Sequence, residues 1–124
     1  MKSRTPKLKL ESLDGRIVPS TVAFGDLNHD GLMDKAAITG NRTVTVSLGN
    51  ANGGYTVAAT LTAPNGTPSL TGVGMYDNDG DGDLDVVAGS STNSWSYTTI
   101  WLNNGNGTFG SPSSGRFKSN NNWV

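Results

Sequence analysis

Residues 77 to 85 read DNDGDGDLD. Five carboxylates, Asp77, Asp79, Asp81, Asp83 and Asp85, stand at alternate positions with two glycines among them. Like charges about 5 Å apart repel by ~1 to 3 kcal/mol per pair at effective dielectric values of about 80 to 20. Several such pairs weigh heavily on a domain whose whole stability is ~5–15 kcal/mol. The stretch therefore implies a neutralising partner, and the rest of the chain indicates which kind.

The same spacing occurs 51 residues earlier. FGDLNHDGLMDKAAITG (24–40) matches MYDNDGDGDLDVVAGSS (75–91), with Asp26/Asp77, Asp30/Asp81, Gly31/Gly82 and Asp34/Asp85 in register. Further on, VSLGNANGGY (46–55) matches IWLNNGNGTF (100–109) at an offset of 54, so three extra residues fall around Ser91 to Ser94 in the second copy. Repetition at such a period is the mark of a solenoid, propeller or array.

Each copy reads as strands. TVAFGDL leads into the first acidic loop, KAAITG and VVAGSS leave the two loops, and TVTVSL and YTTIWL follow after turns. YTVAATLTA (55–63) supplies a fourth strand to the first copy. These runs are short, β-branched or aromatic, and bounded by Gly, Asn and Pro. No segment carries a 3.6-residue period, so the fold class is all-β. Four segments result: a tail at 1–20, repeat 1 at 21–70, an incomplete repeat 2 at 71–110, and a Gly/Ser/Asn-rich tail at 111–124. GRFKS, the one candidate for a closing strand in the second copy, is a poor one.

Both loops follow D-x-[DN]-x-D-G-x-x-D. Oxygen-bearing side chains at positions 1, 3 and 5 of a curling loop converge from one side, and glycine at 6 permits a sharp turn. That turn brings the carbonyl of position 7 and the carboxylate of position 9 to the same centre. An all-oxygen set of this size suits a hard cation, and Ca²⁺ more than Mg²⁺, which keeps several of its waters. The loops are not EF-hands. Position 12 is Ala37 in one copy and Ala88 in the other, where an EF-hand carries a bidentate Glu, and strands rather than helices flank them.

Charge and composition exclude other classes. The net charge of −1 is segregated: five of nine basic residues fall in the first 16 positions, and eight of ten acids lie in the two loops. From residue 19 onward eight acids face four bases, Lys35, Arg42, Arg116 and Lys118. Such a body offers no basic stripe for a nucleic-acid backbone. There is no cysteine, hence no disulfide framework and no thiol nucleophile. No apolar run is long enough to span a membrane. His29, the one histidine, stands at a non-liganding loop position and reads as a solvated residue. Without a partnered nucleophile there is no catalytic triad. Trp95, Tyr97 and Trp101 share one face of a strand, as packing between repeats or as a platform for a sugar ring. GNGTFG (105–110) fits G-x-G-x-x-G, but no helix opens after it, so it reads as a turn.

On Phe24-Gly25, the loops DLNHDGLMD and DNDGDGDLD, and the turns LGNANGGY and LNNGNGTF, the chain resembles the FG-GAP/VCBS repeat family, the calcium-loop blades also found in integrin α-subunit propellers. The resemblance covers about residues 21 to 110. It implies about two four-stranded antiparallel propeller-type blades, an incomplete β-propeller. It further implies two Ca²⁺ sites: Asp26, Asn28, Asp30 and Asp34 with the Leu32 carbonyl, and Asp77, Asp79, Asp81 and Asp85 with the Asp83 carbonyl. Met75-Tyr76 replaces Phe-Gly in the second copy, which places the chain nearer the VCBS branch. LKLESLDGRIVPS, within the N-terminal 20 residues, resembles the short N-terminal motif of planctomycete extracellular proteins. The implied function is a non-catalytic, extracellular or cell-surface module for adhesion or protein interaction, its protein or glycan partner unidentified. The alternatives are a carbohydrate-binding module, or a non-catalytic part of a polysaccharide-acting enzyme. A propeller normally closes with 4–8 blades, so open blade edges point to self-assembly as a further expectation.

Overall fold

A computed structural model describes residues 21–92 and 94–118. The N-terminal segment and its export-like motif lie outside the described residues. Eight strands follow in chain order: β1 (Val22–Gly25), β2 (Asp34–Gly40), β3 (Thr43–Gly49), β4 (Tyr55–Thr62), β5 (Leu70–Tyr76), β6 (Asp85–Ser91), β7 (Trp95–Trp101) and β8 (Ser113–Lys118). They form two four-stranded antiparallel sheets, β1-β2-β3-β4 and β5-β6-β7-β8, each a simple meander. The described residues contain no helix long and apolar enough to cross a membrane.

The all-β reading holds, and the repeat register is reproduced strand for strand. The three extra residues of the second copy lie where β6 turns into β7. There Thr92 accepts the Trp95 N–H on its hydroxyl and donates its own N–H to the Trp95 carbonyl. One expectation is corrected. The second copy is not left open after Phe109, because Ser113–Lys118 pairs with β7 along its whole length, from Ile100↔Ser113 to Trp95↔Lys118. The GRFK of the poor candidate GRFKS lies in this strand, which reads weakly from sequence because its first four residues are exposed and carry no alternating apolar pattern. Backbone pairing to β7 holds them, with the Arg116 guanidinium over the Trp95 ring as a side-chain contact.

The core sits between the sheets. Pairing puts Ala23, Ala36, Val46 and Ala59 in one row of the first sheet, and Ile38, Val44 and Leu61 in the next. These rows join Val73, Val86, Ala88 and Trp101 of the second sheet in a single apolar cluster. Trp101 is 1% exposed, which settles its role as packing and removes it from any sugar-binding surface. Arg116 lies over the Trp95 ring at 4.1 Å, so that indole is also engaged within its own sheet. Where the sheets meet, β1 comes close to the second repeat. A Cβ on Gly25 would fall 2.7 Å from Leu84 Cδ1 and 2.9 Å from Met75 Sδ, so the glycine of the Phe-Gly pair admits this approach. Backbone bonds tie the repeats at the opposite end, with the Leu70 N–H donating to the Asn41 carbonyl at 2.8 Å.

Candidate metal centres in the paired loops

Each acidic loop joins the first strand of a sheet to the second, 26–33 between β1 and β2 and 77–84 between β5 and β6. The first aspartate winds the loop around itself. Asp26 accepts the N–H groups of Asp30 at 3.2 Å and Gly31 at 2.8 Å. Asp77 likewise accepts those of Gly80 at 2.9 Å, Asp81 at 3.1 Å and Gly82 at 2.9 Å. The fifth position completes the curl: Asp30 accepts the Leu32 N–H, and Asp81 the Asp83 N–H, both at 2.9 Å. The curl requires left-handed backbone at positions 4 and 6. Gly31, Gly80 and Gly82 adopt it with φ of 83°, 77° and 92°, and His29 adopts it with φ of 60°.

The ninth position anchors the loop to the sheet. Asp34 and Asp85 are each 0% exposed, and each bridges two segments with its two oxygens. Asp34 accepts from the Leu27 N–H at 2.7 Å and the Gly49 N–H at 2.8 Å. Asp85 accepts from the Asn78 N–H at 2.9 Å and the Asn103 N–H at 2.9 Å. A buried carboxylate needs such partners to offset its lost hydration.

These foldings gather the acids. Oxygens of Asp26, Asp30 and Asp34 lie within 4.8 Å of one another, as do those of Asp77, Asp79, Asp81 and Asp85. Asn28 turns its amide group onto the first cluster. Its oxygen faces only acceptors, whereas a half-turn of the amide would let the nitrogen donate to Asp30 at 3.0 Å, Asp26 at 3.2 Å and Asp34 at 3.3 Å. One orientation thus suits an ion-free loop, and the other adds a fourth oxygen to the set a cation would take. Leu32 and Asp83 follow at position 7, held by their N–H bonds. The Asp83 carboxylate is not among the gathered groups; it bonds His29 instead.

Proton affinities follow from the same contacts. The Gly31 N–H chiefly holds the Asp26 carboxyl below its ordinary range, and the Asp83 N–H does the same for Asp81. Asp79 is pushed up, first by desolvation, then by sharing a proton with Asp81 and by the charges of Asp85 and Asp81. The second loop, with four carboxylates, is the one that resists full ionisation without a counter-charge.

Two residues outside the liganding pattern tie the loops together. His29 Nε2 lies 2.6 Å from Asp83 Oδ1, so the residue read as merely solvated bridges loop 1 to loop 2. The Asp83 contact raises its pKa above 6.5. Asn103 is 3% exposed and lies two residues beyond the end of β7. It donates to the Leu27 carbonyl at 2.7 Å and the Leu84 carbonyl at 2.9 Å, and accepts from Gly105 at 2.9 Å and Gly107 at 3.1 Å. Its repeat counterpart is Gly49, where a Cβ would meet the Met33 carbonyl oxygen far inside contact distance. That difference between the copies, Gly against Asn in LGN and LNN, was the only sequence signal for Asn103.

A family model described as FG-GAP-like repeat matches residues 26–88. No curated protein and no solved structure matches the chain.

Proposed function

The chain belongs to the FG-GAP-like repeat family, and from that membership and its paired loops we propose a calcium-binding, non-catalytic β-propeller-type repeat module for extracellular adhesion or protein interaction. One observation carries the metal assignment: two separate loops gather three and four carboxylates within 4.8 Å, each set including a wholly buried aspartate. The donors are all oxygen, which fits Ca²⁺. Asp26, Asn28, Asp30 and Asp34 with the Leu32 carbonyl would hold one ion. Asp77, Asp79, Asp81 and Asp85 with the Asp83 carbonyl would hold the other. A dication supplies the charge that lets these carboxylates ionise together, and its binding energy becomes folding energy.

Extracellular placement is supported by the family, whose repeats are typically found in extracellular domains, and by the loop chemistry, since extracellular modules bind calcium at ~10⁻⁴–10⁻³ M. The non-catalytic reading is supported by His29, the one histidine, whose hydrogen bond among the described residues goes to Asp83 and not to a serine or threonine hydroxyl that it could activate.

The test is a pair of thermal melts, one in millimolar calcium and one in chelator, with calorimetric titration of the intact chain. Calcium is expected to raise the midpoint, with two ions bound per chain, and Asp30→Ala with Asp81→Ala is expected to abolish both effects. Full calcium response in that double variant would overturn the ligand assignment.

A further inference from the structure

We propose that the outward face of the second sheet docks onto the outward face of the first sheet of another copy of this chain, head to tail. The repeat register carries the inference. Phe24, Met33 and Leu102, three of the exposed large apolar residues, each have a counterpart in the other repeat that packs at the boundary between the sheets.

Phe24 is 53% exposed and Met33 60%. At the 51-residue offset they correspond to Met75 and Leu84, the two side chains that lie against Gly25 of the first repeat. Leu102 is 39% exposed and corresponds, at the offset of 54, to Leu48. The Leu48 side chain reaches to 3.3 Å of the position a Cβ would take on Gly107 of the second repeat. The internal boundary thus has a giving side and a receiving side, and among the described residues one of each is left unmet.

The strand rows show the same relation. Ala36 and Val46, which face the second sheet in the core, correspond to Val87 and Ile100. Val87 and Ile100 pair on the face of the second sheet turned away from the first. There a groove of about 310 Å³, lined by Thr98, Ile100, Ser113, Ser114 and Gly115, lies over the paired strands β7 and β8. On the first sheet, Phe24, Lys35, Ser47 and Val57 form the row turned away from the second sheet, with Phe24 and Val57 exposed and Ser47 buried. A surface of one kind meeting a surface of the other is a heterologous contact, which closes into a ring or continues as a filament. The expected contact uses sheet faces, so it differs from pairing through open strand edges.

The external contact is weaker than the internal one. Asn103 and His29 bridge the two repeats, but their counterparts are Gly49 and Gly80, which have no side chain to reach across. Gly25, which receives Met75 and Leu84, has Tyr76 as its counterpart. Its ring lies along the sheet over Gly74, within 2.7 Å of where a Cβ there would stand. Association is therefore expected to be reversible and concentration-dependent. Nothing in it depends on which ion the loops hold.

The experiment is sedimentation velocity of the full chain in calcium, from micromolar to millimolar protein. The wild type is expected to gain mass at least twofold across that range. Phe24→Asp, which spoils one face, and Ile100→Asp, which spoils the other, should each remain monomeric with an unchanged circular dichroism spectrum. Leu102→Glu serves in place of Ile100→Asp if the latter fails to fold. An equimolar mixture of the two variants should recover a species of two chains and no larger, because one intact face of each survives. A wild type that stays monomeric, variants that still assemble, or a mixture that does not associate would each overturn the proposal.

Discussion

Replacing Asn103 with alanine is the sharpest test of how the two repeats are joined. The side chain makes four hydrogen bonds at 2.7 to 3.1 Å and is 3% exposed. Two carbonyls, of Leu27 and Leu84, lose their donor, and two N–H groups, of Gly105 and Gly107, lose their acceptor. At a net ~1 kcal/mol per bond the loss is ~4 kcal/mol. The cost of stranding a buried group, about 1–3 kcal/mol each, could raise it, and water entering at the glycine turn lowers it. Against a total near ~5–15 kcal/mol, the variant forfeits a large share of its stability. Urea unfolding in saturating calcium, followed by tryptophan fluorescence, measures this directly. The midpoint should fall with the slope unchanged. A loss below ~1 kcal/mol, within the range of ordinary surface substitutions, would refute Asn103 as the joint between the repeats.

Gly49→Ala should be at least as damaging, because the new methyl group collides with the Met33 carbonyl, a backbone atom that has no rotamer by which to withdraw; urea unfolding is the check. His29→Gly relieves a left-handed non-glycine residue, for which the cost is ~1–2 kcal/mol, and forfeits the contact with Asp83. The two effects oppose, so the double variant His29→Gly with Asp83→Asn should be more stable than Asp83→Asn alone. The His29 pKa is raised in the folded state, so its contribution is fully present below about pH 6.5, the unfolded value, and is lost as pH rises through the folded value. The stability difference between wild type and Asp83→Asn should shrink accordingly, and an NMR titration of the imidazole should place its pKa above that of a free histidine.

Much of this was legible from residue types alone. The loop spacing located the carboxylate clusters, because ligand geometry and backbone curl are local and the same pattern occurs twice. The paired strands followed from β-branched runs, and Ala37 and Ala88 do lie in strands, as the rejection of an EF-hand required. What could not be read were features whose cause is long-range. β8 shows no apolar alternation in its exposed residues and is defined by its partner. His29 looked idle because its partner lies 54 residues away, and Asn103 looked like turn material because Leu27 is 76 residues away. The inward burial of Trp101 was one of two readings until the sheet pairing fixed its face.

The polar contacts also make the two candidate ion sites parts of one network. Leu27 stands between two of the proposed liganding positions of loop 1, its N–H on the Asp34 carboxylate at 2.7 Å and its carbonyl accepting from Asn103 at 2.7 Å. The Asn103 N–H in turn reaches the Asp85 carboxylate at 2.9 Å. On the proposed assignment, ordering the first loop around an ion would fix Leu27, and through it Asn103 and the buried Asp85 carboxylate of the second loop. The expected consequence is positive coupling between the sites, of the ~1 kcal/mol order at which a second affinity changes about fivefold. Asp30→Ala should weaken calcium binding at loop 2, and Asp81→Ala should weaken loop 1 by the same factor, since linkage is reciprocal. Calorimetric titration of each single variant measures the factor. In an Asn103→Ala background, studied where it remains folded, the factor should fall toward one. Equal affinities at loop 2 with and without Asp30 would show that the hydrogen-bonded path carries no coupling, and the joint would then be structural alone.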